Sequence, residues 1–132
     1  MTKLRFNRLF IVFSVCFLLI GCIPPRIIIT PNDLPTGVIG KNYYAQITID
    51  GGSGPISGSG FQREIYPINS GLEIISPEIN GRVEYNNLAV KGIPKIIGDI
   101  KVIIQGGMIS SGWNAPSDFK KVYIIKVTEQ EK

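Results

Sequence analysis

Apolar and polar residues alternate over several short stretches of this chain. The clearest stretch is residues 43–50, in which every second position is apolar: Tyr43, Ala45, Ile47 and Ile49. A period of two places these side chains on one face of a β-strand, while the positions between them face the other way. Residues 43–50 are therefore predicted to form a strand with one buried face.

Similar runs, bounded by glycine, proline, asparagine or serine, predict further strands. They cover residues 27–30, 64–68, 71–75, 82–85, 88–91, 99–105 and 120–128. Residues 51–60 are too rich in glycine and serine for a regular strand and are predicted to begin as a turn. No stretch combines a 3.6-residue apolar period with capping residues, so we expect little helix. The spacing of the runs is typical of an all-β sandwich or barrel.

The first 22 residues have a different composition. Lys3, Arg5 and Arg8 precede residues 9–20, in which Ser14 is the only strongly polar residue. A basic segment followed by a short apolar run is typical of a secretory signal peptide. A helix that crosses a bilayer needs about 20 apolar residues, so a cleaved signal is favoured over the alternative, a permanent transmembrane anchor.

The apolar run ends in Leu19, Ile20, Gly21 and Cys22, and this sequence resembles the lipobox of bacterial lipoproteins. The resemblance implies that the chain is cleaved before Cys22 and that Cys22 carries diacylglycerol and a further acyl group. Residues 1–21 are then a lipoprotein signal peptide. An ordinary signal peptide that ends near a cysteine is the alternative. Each buried methylene contributes about 0.8 kcal/mol, so several acyl chains hold a protein stably on a membrane.

Residues 22–33 are expected to form the lipidated terminus and a short tether, with a possible first strand at residues 27–30. Pro24 and Pro25 favour an extended, semi-rigid spacer. Ile23 would be the second residue of the mature chain. In enterobacterial lipoproteins an aspartate there marks retention in the inner membrane, so the resemblance favours the outer membrane over the inner one. We expect a lipid-anchored protein of a bacterial cell envelope.

Cleavage would remove most of the excess positive charge. The chain has 14 lysine and arginine residues against 10 aspartate and glutamate residues, and three of the basic residues lie in the expected signal peptide. The charges of the mature chain are then nearly balanced. A nucleic-acid partner, which requires a basic patch, is therefore not expected.

The residue types that most often carry catalysis are scarce. The chain has no histidine, Cys16 is lost with the signal, and Cys22 is lipidated. This leaves neither the usual zinc ligands nor a base that could activate a serine. The glycine-rich residues 51–60 match neither a phosphate-binding loop nor the Gly-x-Ser-x-Gly arrangement. We expect no enzymatic activity and no cofactor other than the lipid on Cys22.

A metal site is also not expected. Calcium prefers several oxygen ligands held close together. Four aspartates of the mature chain are single carboxylates without the Asp-x-Asp pairing that could hold such a cation: Asp33, Asp50, Asp99 and Asp118.

Five short motifs follow one another in a characteristic order. They are residues 34–43 (LPTGVIGKNY), 51–55 (GGSGP), 70–74 (SGLEI), 90–94 (VKGIP) and 98–102 (GDIKV). In this order they resemble the immunoglobulin-like domain family of bacterial surface and exported proteins, which is related in shape to cadherin domains. The resemblance implies that residues 34–132 form an immunoglobulin-like antiparallel β-sandwich of about seven strands. It also implies an adhesive or spacer role and supplies no catalytic residues.

The segment 106–118 is the strongest candidate for a binding loop. It is long for a hairpin connection and contains Met108, Ile109 and Trp113 among small and polar residues. Long loops in compact domains tend to be functional, and tryptophan is enriched at binding hot spots. The alternative, which we favour for Trp113, is that this side chain folds back and caps one end of the sandwich.

These observations lead to one functional prediction with one alternative. We expect a membrane-anchored envelope lipoprotein whose non-catalytic immunoglobulin-like domain mediates contact with another envelope protein. The alternative is a carbohydrate- or peptidoglycan-binding lipoprotein module, because exposed aromatic residues on a β-sandwich can stack against sugars.

Overall fold

The computed structural model describes residues 25–110, 112 and 115–130, and these residues form ten β-strands and two short 3-10 turns. The strands are β1 (Ile27–Thr30), β2 (Gly37–Val38), β3 (Tyr43–Gly51), β4 (Gln62–Tyr66), β5 (Leu72–Ile75), β6 (Glu78–Ile79), β7 (Arg82–Val83), β8 (Asn87–Gly92), β9 (Gly98–Met108) and β10 (Ser117–Thr128). The 3-10 turns are Gly58–Gly60 and Ile68–Ser70. The described part of the chain contains no α-helix, which confirms the all-β prediction.

The strands form two four-stranded sheets and a separate hairpin. The first sheet has the order β1-β3-β8-β5, the second sheet has the order β2-β10-β9-β4, and β6 pairs with β7. Neighbouring strands are antiparallel except for β2 and β10, which are parallel. No helix in this part of the chain is long and apolar enough to cross a bilayer.

The two sheets enclose one hydrophobic core. As predicted, the alternating residues of β3 point inward, and Ile47 and Ile49 are completely buried. They belong to the same cluster of buried side chains as Val102 and Ile125 from the second sheet. A fully buried side chain of this size contributes about 1.5–3 kcal/mol to folding. The inward faces of both sheets therefore supply the main driving force for the fold.

Most predicted strands exist, but several of their boundaries were wrong. Strand β1 has the predicted bounds. A strand was predicted at residues 64–68, but β4 covers Gln62–Tyr66. The hairpin of β9 and β10 is longer than predicted, because its pairing continues to Ser117 opposite Met108. Glycines 106 and 107 hid this extension, since a residue without a side chain cannot show alternation. The strands β2 and β6 were not predicted, because two residues are too few to show alternation.

The segment between β1 and β2 crosses from the first sheet to the second and is held by one tyrosine from each. The hydroxyl of Tyr123 donates a hydrogen bond to the carbonyl of Pro31 at 2.8 Å. The hydroxyl of Tyr43 donates to the carbonyl of Pro35 at 2.9 Å. Burial raises the pKa of Tyr43 to about 12. Burial, helped by the charge of Asp33, raises the pKa of Tyr123 to about 12.

The strand registers place the chain termini of the domain at opposite ends. Ile27 lies opposite Gly51, Ile56 forms a bridge with Met108, and Met108 lies opposite Ser117. We call this end, formed by Arg26, residues 51–60, residues 76–86 and the described residues that follow Met108, the Arg26 end. Strand β10 runs from there to Thr128, which lies beside Val38 at the other end. We call the latter the Thr128 end.

Candidate binding surface

The outward face of the second sheet is built by alternate residues of three antiparallel strands. Ile103 of β9 lies between Glu64 of β4 and Val122 of β10. In the next row, Lys101 lies between Tyr66 and Ile124. Because residues two apart on a strand share a face, these two rows are neighbours on one surface.

Four apolar side chains lie on this face, with the charged Lys101 between Tyr66 and Ile124. Val122 is 46% exposed, Ile124 is 42% exposed and Tyr66 is 47% exposed, while Ile103 between them is partly buried. We call these four residues the outer patch. Neighbouring apolar residues that face solvent together are typical of surfaces that bind another molecule, whereas single ones are common everywhere.

Charged and polar side chains surround the outer patch. The same face carries Lys120 next to Val122, and Lys126 opposite Asp99. The hydroxyl of Tyr66 donates a hydrogen bond to Glu64 Oε2 at 3.0 Å. This hydrogen bond and the negative charge of Glu64 raise the pKa of Tyr66. The side-chain amide of Gln105 donates to Gln62 Oε1 beyond the patch. Polar side chains around an apolar centre are the usual composition of a protein interface, and here Lys101 also lies within the patch.

A shallow cavity of about 670 Å³ lies beside this face, at the Arg26 end. Its lining includes Ser57, Ser59, Gln62 and Gln105, together with the exposed side of Ile109. The hydroxyls of Ser57 and Ser59 are 3.0 Å apart and share a hydrogen bond. Hydroxyl and amide groups of this kind can exchange hydrogen bonds with the hydroxyls of a sugar or with a peptide backbone.

The structure separates the residues of the predicted binding loop. Met108 is only 3% exposed and belongs to the core, where its sulfur lies against Gly52. Ile109 is 55% exposed, and its N–H donates to the carbonyl of Pro55 at 2.8 Å. Trp113 lies outside the described residues. The connection itself is residues 109–116, shorter than the predicted 106–118. Its role in binding a partner stays a prediction.

The remaining predicted sites are the lipobox, the tyrosine pair of β3 and the metal-binding residue types. The lipobox residues Leu19, Ile20, Gly21 and Cys22 lie outside the described residues. Tyr43 is buried in the core, and its neighbour Tyr44 is exposed on the outward face of the first sheet. Within residues 25–110, 112 and 115–130, no three side chains among histidine, cysteine, aspartate and glutamate converge on a point where a metal could bind.

Sequence reasoning did not single out the outer patch. A signal for it exists in β10, where Val122 and Ile124 alternate with the equally apolar Tyr123 and Ile125. A strand that is apolar on both faces, in a sheet with only one face on the core, must expose one apolar row. Tyr66 had no comparable signal, because it joins the patch only through pairing with β9.

No family model matches the chain, and no curated protein does. Two solved structures of the SrpA adhesin from Streptococcus sanguinis, the first a point mutant, are similar to it. Their TM-scores are 0.50 and 0.51, with sequence identities of 18% and 17%. The alignments cover 83% and 84% of this chain and 61% and 60% of the adhesin chain, so this chain spans about three fifths of it. At this identity the likeness concerns the fold alone.

Proposed function

We propose that this protein is a lipid-anchored envelope protein whose non-catalytic immunoglobulin-like domain binds another protein through the outer patch. The immunoglobulin-like assignment rests on strand order. In such domains the first, second, fifth and fourth main strands form one sheet, and the third, sixth and seventh form the other. If the short strands β2, β6 and β7 are set aside, β1-β3-β8-β5 and β10-β9-β4 have this arrangement.

The outer patch is the observation that carries the binding role. A monomer that worked alone would gain nothing from three strongly exposed apolar side chains, Tyr66, Val122 and Ile124, on one sheet face. In a complex, burial of these side chains would be favourable by roughly 25 cal/mol for each Å² of apolar surface. Tyrosine is also among the residues that most often dominate binding energy. The similar solved structures belong to a protein described as an adhesin, and a binding role agrees with that description.

The anchor is the part of the proposal that rests on sequence alone. The lipobox-like residues 19–22 follow a basic segment and an apolar run. This arrangement supports export and lipidation of Cys22, with the outer membrane as the favoured location. Mass spectrometry of the protein purified from its native envelope tests the anchor. We expect an acylated peptide that begins at Cys22, and an intact Met1 terminus or a free Cys22 thiol contradicts the proposal.

Site-specific photocrosslinking tests the binding surface. A photoreactive residue at position 122 is expected to capture a discrete protein in intact cells. The matched control is position 46, because Gln46 is also exposed in a central strand but belongs to the outward face of the first sheet. The proposal is contradicted if position 122 captures nothing, or if both positions capture the same proteins equally.

The alternative function, binding of carbohydrate or peptidoglycan, is favoured by the cavity at the Arg26 end. Its lining offers the hydroxyls of Ser57 and Ser59 and the amides of Gln62 and Gln105. A pull-down with purified peptidoglycan distinguishes the two functions. If Gln105→Ala removes retention on peptidoglycan while Val122→Asp does not, the cavity rather than the outer patch is the functional surface.

A further inference from the structure

Strand β4 is an edge strand with one open side. In the second sheet it follows β9 and has no further neighbour within the described residues. Its five residues, Gln62–Tyr66, contain no proline. An edge strand of this kind presents backbone N–H and C=O groups that can bond to another strand. The open side of β4 is therefore a place where a strand from outside the domain can be added.

The register of β9 identifies which residues of β4 face the open side. Met108 pairs with β10 on one side of β9, and on the other side the carbonyl of Gly107 accepts a hydrogen bond from the N–H of Ser57 at 2.8 Å. Backbone groups alternate in direction along a strand, so the odd-numbered residues of β9 direct theirs toward β4. Their partners in β4 are the even-numbered residues. Arg63 and Ile65 consequently direct their N–H and C=O groups away from β9.

An apolar groove lies beside these free backbone groups. It has a volume of about 240 Å³ and lies between β4 and β5. Its apolar lining is formed by Ile65, Ile68, Leu72 and Ile74. Ile68 is 89% exposed, the largest exposed fraction among the large apolar side chains of the described residues. When a peptide adds a strand to a sheet edge, its main chain supplies hydrogen bonds and its alternate side chains enter pockets of this kind.

The groove also has an arginine that can bind a carboxylate. The guanidinium of Arg63 donates a hydrogen bond to Ser76 Oγ at 2.8 Å, and no carboxylate of the described residues is paired with it. Its remaining N–H donors suit a carboxylate. Glu73, also in the lining, already forms an ion pair with Lys91 at 3.5 Å. The groove therefore favours an incoming strand with an acidic residue.

A second copy of this chain fits the edge poorly. Two β4 strands related by a two-fold axis would pair antiparallel through the free groups of Arg63 and Ile65. A pairing centred on Arg63 or on Glu64 places that charged residue opposite its own copy, and like charges in this position destabilise a sheet. A pairing centred on Ile65 places Arg63 opposite Pro67, which has no N–H to donate. A partner with a different sequence is favoured.

We propose that the partner protein adds an extended strand to the open edge of β4, with alternate apolar side chains in the groove and a carboxylate on the guanidinium of Arg63. This inference rests on the proposed function and deepens it, because it names the form in which the partner is recognised. Glu64 and Tyr66 lie on the outward face of β4. The other row of side chains of the added strand would therefore extend the outer patch.

Amide hydrogen exchange, measured for each residue by NMR in the full-length protein, tests the pairing. The probe is a capped synthetic peptide in which valine and threonine alternate and one end carries a glutamate. In the free protein we expect the amides of Arg63 and Ile65 to exchange much faster than that of Glu64, which is bonded to β9. With peptide at millimolar concentration, we expect exchange at Arg63 and Ile65 to slow by about tenfold or more. Exchange at Ile29 in the edge strand β1 should not change.

The same peptide with lysine in place of glutamate is the control for charge. We expect it to slow exchange much less, because its lysine would meet Arg63. Equal slowing by the two peptides, equal slowing at Ile29, or no slowing at Arg63 and Ile65 overturns the inference. It is also overturned if the two amides are already protected in the free protein and sedimentation shows a dimer, since a second copy would then occupy the edge.

A proline at position 63 separates this inference from the proposed function. Arg63→Pro removes no hydrogen bond to β9, but it blocks strand addition. We expect this variant to keep its Tm and to lose capture through a photoreactive residue at position 122. Unchanged capture would contradict the added strand alone. Absence of capture with Arg63 in place would contradict the proposed function itself. If the variant does not fold, the peptide measurement on the natural protein decides.

Discussion

The outward faces of the two sheets differ, although their inward faces are alike. On the first sheet, the outward positions of the central strands are mostly polar, and Lys91 forms an ion pair with Glu73 at 3.5 Å. Its two strongly exposed apolar residues, Ile28 and Tyr44, lie far apart. On the second sheet, Val122 and Ile124 lie beside Ile103 in the outer patch, and Lys101 lies between Ile124 and Tyr66.

This difference separates the apolar side chains that fill the core from those that remain exposed on the second sheet. Both sheets bury one apolar row each, and the core needs no more than that. The additional apolar row of the second sheet contributes little to the stability of the isolated domain, because water still reaches it. The proposed partner would account for its presence, and the first sheet provides an internal control for that proposal.

The largest expected effect separates two neighbouring isoleucines of β10. Ile125 is completely buried, whereas Ile124 belongs to the outer patch. We expect Ile125→Ala to lower the free energy of unfolding by about 2–5 kcal/mol, because it leaves a cavity in the core. For Ile124→Ala we expect the free energy of unfolding to change by no more than about 0.5 kcal/mol. Urea unfolding measures both, and similar losses would show that the outer patch is structural.

Alkaline pH is expected to weaken the attachment of the crossing segment to both sheets. Burial raises the pKa of Tyr43 and of Tyr123 to about 12, above the value of about 10 in an unfolded chain. Below pH 10 both states keep the proton, so stability is unaffected. Between pH 10 and pH 12 the unfolded state loses it first, and stability falls.

Thermal unfolding followed by circular dichroism measures this loss. The double variant Tyr43→Phe with Tyr123→Phe is the control, because it has no hydroxyl to titrate at these positions. We expect its Tm to fall less between pH 10 and pH 12 than that of the natural protein. Equal falls would mean that other groups cause the alkaline unfolding.

A charge in the outer patch is expected to weaken partner binding without affecting the fold. Ile124→Asp would place a carboxylate at the centre of a desolvated contact, and we expect a loss of about 1–2 kcal/mol, or roughly 5- to 30-fold in Kd. Titration with the protein captured through position 122 measures this change. Gln46→Asp puts the same charge on the first sheet and should leave Kd unchanged. Equal effects of the two substitutions would remove the distinction between the faces.

The smallest effect is expected for the ion pair on the first sheet. Glu73 and Lys91 are both well exposed, and exposed pairs of this kind contribute at most about 1 kcal/mol. Glu73→Gln should therefore change the free energy of unfolding by less than this and should not alter partner binding. A loss of binding on this substitution would show that the first sheet takes part in the contact.

The sequence alone was sufficient to predict the all-β fold and the inward face of β3. The alternation in β3 is clear, because apolar residues occupy one of its two rows and the other row contains only Tyr44 besides polar residues. Strand β1 and the existence of β9 and β10 followed from similar local patterns. Local patterns succeed here because a strand with one face on a core must repeat with a period of two.

Tertiary structure decided which face of β10 is exposed and where the outer patch forms. In the middle of β10, residues 122–125 are apolar on both faces, and a shift of one residue in pairing would exchange the two rows. Only the register against β9, with Tyr123 opposite Val102 and Val122 opposite Ile103, turns Val122 and Ile124 toward solvent. Tyr66 reaches the same surface through pairing with Lys101, far away in sequence. Periodicity describes neighbours along one chain segment, whereas a binding surface depends on which segments lie side by side.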